Sequence, residues 1–125
     1  MKKIIWIIED HEIDQLITRK MLESCLPQIS INSYDSSERA ILELRGSNPK
    51  ASLILLNLDM PLMSGWDFMK AFTQLELSIP IYIVTSSDSL QDREHAKKYP
   101  GIRDYILKPL TKNIILKIAD ENNLN

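Results

Sequence analysis

The chain has little cysteine, little glycine and no long apolar run, and each shortage argues against a class of protein. Its single cysteine, Cys25, cannot form an intramolecular disulfide, which favours a reducing compartment. None of its three glycines lies in a cluster that could cradle phosphate. The N-terminal apolar run from Ile4 to Ile8 ends in Glu9-Asp10, so it is too short for a signal-peptide core or a membrane span.

The remaining composition is that of an ordinary globular domain. A length of 125 residues suits one domain, residues 1–125, and 44% hydrophobic with 26% charged residues is sufficient for a normal core. The net charge of −2 gives no basis for nucleic-acid binding. We therefore expect a single cytoplasmic domain without a membrane or nucleic-acid partner.

The apolar pattern predicts strands and helices in alternation. The predicted strands are Ile4 to Ile8, the alternating segment around Ile29 and Ile31, Leu53 to Leu56, Ile79 to Val84 and Ile102 to Leu107. Helical spacing predicts helices from Ile13 to Cys25, from Ser36 to near Gly46, around Phe68 to Leu75, from Leu90 to Tyr99 and from Thr111 past Ile118. This alternation predicts an α/β fold with a parallel sheet, and we expect Asn122 to Asn125 to be frayed. The strand order cannot be read from the pattern.

Polar residues follow four of the predicted strands, at the edge where parallel sheets bind ligands. They are Glu9-Asp10, Asn57 with Asp59, Thr85 to Asp88, and Lys108-Pro109. Neighbouring carboxylates and a further oxygen suit Mg²⁺, and a lysine beside a hydroxyl can hold a phosphoryl oxyanion. Each group alone is more typical of a loop, turn or helix cap, but their shared position predicts a site for a phosphoryl group bridged to a metal.

Several of these residues belong to a specific pattern. The stretch Asn57-Leu58-Asp59-Met60-Pro61-Leu62-Met63-Ser64-Gly65, with the acidic pair, Thr85, Tyr105 and Lys108-Pro109, resembles the response-regulator receiver domain of the chemotaxis-regulator type. The resemblance runs from about Lys3 to the end of the last helix. It implies a flavodoxin-like (βα)5 three-layer fold with strand order 2-1-3-4-5.

The resemblance also implies roles for individual residues. Asp10, and Glu9 through water, would match the Mg²⁺-binding acids, and the main-chain carbonyl of Asp59 would match a third metal contact. Lys108, Thr85 and Ser86 would lie at the phosphoryl-binding position, and Tyr105 would match an aromatic side chain that swings inward behind it. The Lys108-Pro109 bond resembles one that is usually cis in the family.

One position departs from the family. The phosphoacceptor is an aspartate four residues before the proline of Met-Pro, and that position here is Asn57. An amide oxygen is a poor nucleophile, so Asn57 should not form an acyl phosphate. The pocket also loses a charge, so Mg²⁺ should bind weakly or not at all to the set Glu9, Asp10, Asn57 and Asp59. An engineered Asn57 remains open, although the aspartate at Asp59 suggests a natural exchange.

The sequence therefore favours a stand-alone receiver of two-component signalling that is not an enzyme and acts through protein contacts. We expect no second domain after Asn125, and therefore output through a histidine kinase or another signalling protein. The resemblance places that contact on helix four, strand five and helix five. Because Asn57 lacks a phosphoryl group to recruit Thr85 and Lys108, we also expect an inactive-like pocket with Tyr105 outside it.

Three alternatives stay open. The protein could bind Mg²⁺ and take phosphate at a substitute residue such as Asp59, Ser86 or Ser87. It could be a phosphatase of the Asp-x-Asp type, although Asn57-Leu58-Asp59 lacks the first aspartate. It could also be a flavin or nucleotide binder on a flavodoxin-like scaffold, although no glycine cluster supports this.

Overall fold

Strands and helices alternate along the whole chain, as the apolar pattern predicts. The computed structural model describes residues 2–46 and 50–125. The strands are Ile4–Ile8 (β1), Ser30–Tyr34 (β2), Leu53–Leu56 (β3), Ile81–Thr85 (β4) and Ile102–Leu107 (β5). The helices are Glu12–Cys25 (α1), Ser37–Arg45 (α2), Gly65–Gln74 (α3), Leu90–Ala96 (α4) and Lys112–Glu121 (α5).

The five strands form one parallel sheet in the order β2-β1-β3-β4-β5. This confirms the order that the resemblance implied. Ile8 of β1 pairs with Tyr34 of β2 on one side and with Leu56 of β3 on the other. Since neighbouring strands end at the same level, the residues that come after them share one edge of the sheet.

Alternate residues of each strand point to opposite faces, and each face carries its own core. Trp6 and Ile8 pack with Phe68 and Phe72 on the face that α2 and α3 cover. Ile5 and Ile7 belong to the opposite core, which α1 and α5 cover. Every residue of β3 and β4 is buried, which accounts for their continuous apolar sequences.

Serine and threonine side chains cap four of the helices. The hydroxyls of Ser36, Ser64, Ser89 and Thr111 each accept a hydrogen bond from the main-chain amide three residues later. Ser64 and Asp67 form a reciprocal capping box at the start of α3. The caps predicted at Ser36 and Thr111 are confirmed.

Two predicted boundaries are wrong. Helix four was expected to reach Tyr99, but α4 ends at Ala96 and continues as turns that carry the chain to Pro100. Strand four was expected from Ile79 but begins at Ile81, because Pro80 has no amide proton for the ladder.

The C-terminus was expected to fray and is instead packed. Leu124 is 3% exposed and lies in the core beneath α1 and α5. Asn122 donates hydrogen bonds to the Tyr82 hydroxyl and to the carbonyl of Ile118. A run of asparagines looks like a solvated tail in the sequence, whereas the buried leucine within it decides its position. Within the residues that the structure describes, no helix has the length and apolar character needed to cross a bilayer.

Candidate functional site

The sheet brings most of the predicted site residues to one pocket at the C-terminal ends of the strands. This open pocket of about 200 Å³ is lined by Glu9, Asp10, His11, Asp14, Asn57, Asp59, Ser86 and Lys108. The main-chain hydrogen bonds of the sheet continue into the pocket. The main-chain N–H of Asn57 donates to the Ile8 carbonyl, and the main-chain N–H of Lys108 donates to the Thr85 carbonyl. Thr85 itself does not line the pocket.

The loop after β3 is held close to the strand by a glycine. The Gly65 amide donates to the Leu58 carbonyl at 2.8 Å. A Cβ at residue 65 would lie 2.6 Å from the Asn57 carbonyl oxygen and 2.8 Å from the Leu58 Cα. Only glycine allows this approach, which holds the start of α3 against the main chain of Asn57 and Leu58.

Asn57 is buried, and its side-chain amide faces the acidic groups of the pocket. Its Nδ2 donates to Glu9 Oε2 at 3.0 Å and to the Asp59 carbonyl oxygen at 2.9 Å. A longer contact of 3.5 Å reaches Asp10 Oδ1. These are the carboxylates and the carbonyl that the resemblance assigned to a metal.

Lys108 crosses the pocket to two carboxylates. Its Nζ lies 2.6 Å from Glu9 Oε1 and 2.8 Å from Asp14 Oδ2. The sequence prediction placed Glu9 at the metal through water and did not include Asp14. The sequence position of Asp14 could have predicted this contact. Asp14 lies in the first turn of α1, which starts at the strand ends, so its side chain can face the same pocket.

The charges of this trio follow from burial and pairing. The hydrogen bond from Lys108 lowers the pKa of Asp14. Burial raises the pKa of Glu9, and the hydrogen bond from Lys108 only partly offsets it. Burial also opposes the charge on Lys108, but hydrogen bonds to Asp14 and Glu9 outweigh it and raise the lysine pKa. Lys108 therefore pairs with both acids, and burial makes Glu9 the harder of the two to ionise.

The hydroxyls of Thr85 and Tyr105 both form hydrogen bonds with the main chain of Ser87. Thr85 is fully buried, and its hydroxyl accepts from the Ser87 amide at 3.1 Å, outside the pocket. Tyr105 was expected to stay outside, but it is half-buried against the core of β3 and α3. Its hydroxyl donates to the Ser87 carbonyl at 2.7 Å. The Thr85 hydroxyl is thus turned toward Ser87, and Tyr105 lies further inward than expected while its ring still lines the groove beside α4.

A polar and aromatic cluster missed by the sequence reasoning holds α4 in place. Asp92 accepts from Ser87 Oγ at 2.7 Å and from Trp66 Nε1 at 3.0 Å. The hydrogen bond from Ser87, with help from Trp66 and Ser89, lowers the pKa of Asp92. His95 is half-buried with its ring stacked on Trp66 at 4.1 Å between centroids. α4 has few apolar residues of its own, and this cluster supplies the contacts that hold the helix in place.

The Lys108-Pro109 peptide bond is cis, as the resemblance suggested. The geometry thus combines a cis Lys-Pro, an acidic pair and a strand-end acceptor position at one pocket. The family model described as the response regulator receiver domain matches residues 5–120. The chain belongs to the response regulator receiver domain family.

Individual relatives of this receiver domain are distant in sequence. It is 28% identical over 114 residues to the two-component response regulator ORR5 of Oryza sativa subsp. japonica, covering 90% of this chain and 82% of that protein. Among solved structures, it superposes on a two-component response regulator from Cytophaga hutchinsonii with a TM-score of 0.86 and 22% identity, covering 100% of both chains. A CheY-like receiver domain protein from Methanospirillum hungatei JF-1 gives a TM-score of 0.84 and 21% identity, covering 98% of this chain and 95% of that one. These structures establish the fold of the receiver domain.

Proposed function

We propose that this receiver domain works in two-component signalling without accepting a phosphoryl group, because the acceptor position is Asn57, and that it acts through protein contacts. The observation that carries the proposal is the Asn57 side chain, whose amide nitrogen faces Glu9 and the Asp59 carbonyl. An acyl phosphate needs a carboxylate oxygen as nucleophile, and an amide held by these hydrogen bonds offers none. A cytoplasmic setting and the absence of catalytic turnover are parts of the same proposal.

The partner in this proposal is a histidine kinase or another signalling protein that contacts α4, β5 and α5. A groove of about 410 Å³ lies between α4 and β5, with Leu90, Arg93, Lys97 and Tyr105 in its lining. Leu90 is 72% exposed, and Arg93 lies 4.9 Å over the Tyr105 ring. An exposed leucine beside arginine and tyrosine supports a protein contact, because interfaces are enriched in aromatic residues and arginine.

Intact-protein mass spectrometry tests the phosphoryl part of the proposal. The protein and its Asn57→Asp variant are incubated with MgCl₂ and acetyl phosphate. We expect the variant to gain the mass of one phosphoryl group and the natural chain to gain none, because only the variant has a nucleophilic carboxylate at the strand end. A phosphoryl group on the natural chain would overturn the proposal, and peptide mapping at Asp59, Ser86 and Ser87 would identify the substitute acceptor.

A further test separates the protein-contact surface from the pocket. Leu90→Glu and Arg93→Glu change the groove between α4 and β5 without touching Asn57. Against a histidine kinase from the same organism, we expect both variants to weaken binding measured by calorimetry at least about tenfold, as for central interface residues. Leu42→Glu, on the exposed face of α2, is the control because Leu42 is 66% exposed and lies away from the groove. Equal loss in all three variants would contradict the assigned surface.

A further inference from the structure

The acidic pocket differs from a cation site because its oxygens already face N–H donors. Asn57 Nδ2 lies 3.0 Å from Glu9 Oε2, 2.9 Å from the Asp59 carbonyl oxygen and 3.5 Å from Asp10 Oδ1. An amide nitrogen carries two protons, so the two shorter contacts use both of them. Two of the oxygens assigned to a metal by the resemblance, Glu9 Oε2 and the Asp59 carbonyl oxygen, are therefore turned toward an internal donor.

The orientation of this amide follows from its surroundings. Carboxylates and a main-chain carbonyl are hydrogen-bond acceptors. Turning the Asn57 amide over would place its oxygen against Glu9 and the Asp59 carbonyl, which would bring partial negative charges together in a buried site. Asn57 is 6% exposed, so water cannot readily screen that repulsion.

The second oxygen of Glu9 is also occupied. Lys108 Nζ lies 2.6 Å from Glu9 Oε1, and the His11 amide donates to Glu9 Oε2 at 3.1 Å. Glu9 thus receives hydrogen bonds from three donors, while only 5% of the residue is exposed. Over residues 2–46 and 50–125, no group of three or more histidine, cysteine, aspartate or glutamate side chains is arranged to hold a metal ion. The donor set of the pocket does not fit a divalent cation.

We propose that the Asn57 amide and the Lys108 ammonium together replace the divalent cation of this pocket, so that the folded protein does not bind Mg²⁺. Both groups provide positive charge density to the acidic side chains, and neither requires a bound ion. The inference deepens the proposed function and rests on it, because a pocket without a phosphoryl acceptor does not need a cation to bridge the phosphoryl oxygens.

Asn57→Asp should reverse this arrangement. The substitution keeps the shape of the side chain but changes the donor at 3.0 Å from Glu9 into a charged acceptor. Five acidic residues, namely Glu9, Asp10, Asp14, Asp59 and the substituted residue 57, would then line a pocket in which Lys108 supplies the positive charge. Repulsion among them should destabilise the variant until a cation restores the balance.

The experiment compares thermal unfolding of the natural protein, Asn57→Asp and the control Asn113→Asp, each in EDTA and in MgCl₂. Asn113 is exposed on α5 and does not line the pocket, so its substitution adds the same charge outside the pocket. In about 10 mM MgCl₂ we expect the Tm of the natural protein and of the control to change by less than about 1 °C, and that of Asn57→Asp to rise by about 5 °C or more. Calorimetric titration with MgCl₂ should show saturable binding to Asn57→Asp alone.

Two results would overturn the inference. A natural protein that binds Mg²⁺ as tightly as Asn57→Asp would show that the amide does not replace the ion. Absence of Mg²⁺ binding in both proteins would show that something other than Asn57 excludes the cation. Should Asn57→Asp fail to fold, NMR of the natural chain with added Mn²⁺ is the test. Broadened side-chain amide signals of Asn57 would show a bound ion and overturn the inference, and unchanged signals would support it.

These outcomes are separate from those of the proposed function. No phosphodonor is present in the metal titration, so a cation bound by the natural chain leaves the phosphoryl proposal intact. A phosphoryl group found at a substitute residue would overturn the proposed function without making the natural pocket bind a cation in the absence of phosphodonor.

Discussion

Lys108 Nζ lies 2.6 Å from Glu9 Oε1, although 99 positions separate the two residues in the chain. This contact joins the end of β1 to the end of β5 across β3 and β4, and the Asp14 carboxylate shares the same ammonium at 2.8 Å. The lysine side chain is 18% exposed and that of Glu9 is 6% exposed, so little water screens the pair. The contact is therefore the main electrostatic link across the pocket.

Lys108→Met should destabilise the protein by about 2–3 kcal/mol, because it leaves Glu9 and Asp14 without their shared cation in a partly buried site. Urea unfolding at neutral pH measures the change. Lys112→Met is the matched control, since Lys112 is exposed at the start of α5 and should change stability by less than about 0.5 kcal/mol. Similar losses in both variants would contradict a special role for the Lys108 contacts.

Stability should fall in acid because two aspartates are ionised more readily in the fold than in the unfolded chain. Hydrogen bonds from Lys108 and from Ser87 lower the pKa of Asp14 and Asp92 respectively. Their contribution is present above the ordinary aspartate pKa of about 4 and is lost as the pH falls through the lower folded values.

Asp92→Asn tests this assignment. The variant should be less stable than the natural protein at neutral pH, since it loses the charged acceptor of Ser87 and Trp66. The difference should shrink as the pH falls from about 4 through the lower folded pKa of Asp92, below which the natural side chain is itself protonated. Urea unfolding at several pH values measures how the free energy of unfolding of each protein depends on pH. Parallel curves for the two proteins would count against the lowered pKa of Asp92.

Gly65→Ala should cost about 2–3 kcal/mol, because the added Cβ would lie 2.6 Å from the Asn57 carbonyl oxygen and force the backbone to move. Gly101→Ala is the control, since a Cβ there meets nothing within 4 Å. Denaturant unfolding compares the two. A Gly65→Ala variant as stable as Gly101→Ala would mean that the loop after β3 adapts without strain.

Tyr105→Phe should loosen the segment between β4 and α4. The substitution removes a 2.7 Å hydrogen bond to the Ser87 carbonyl, with an expected cost of about 1 kcal/mol. Amide hydrogen exchange should become faster around Ser87 to Leu90. Tyr99→Phe removes a hydroxyl from the neighbouring aromatic stack and serves as the control. Unchanged exchange in the Tyr105 variant would show that this hydroxyl does not order the segment.

The alternation of strands and helices is already determined by the sequence. Continuous apolar runs such as Leu53 to Leu56 indicate strands buried on both faces, and the spacing of Phe68 and Phe72 indicates a helix. The strand order came from the resemblance and not from the apolar pattern. The boundaries of α4 were less predictable, because that helix depends on Trp66 and Asp92 instead of on its own apolar residues.

The sequence by itself also determined most of the polar residues that meet at the pocket, since parallel strands place the residues after their C-terminal ends at one edge of the sheet. It identified Asn57 as the residue without a nucleophilic carboxylate. Only the tertiary structure decided which way the Asn57 amide faces, that Lys108 pairs with Asp14, and that Tyr105 turns inward. The physical reason is range: periodicity is set by near neighbours in the chain, whereas hydrogen-bond partners depend on the distances and burial that the packed sheet and helices create.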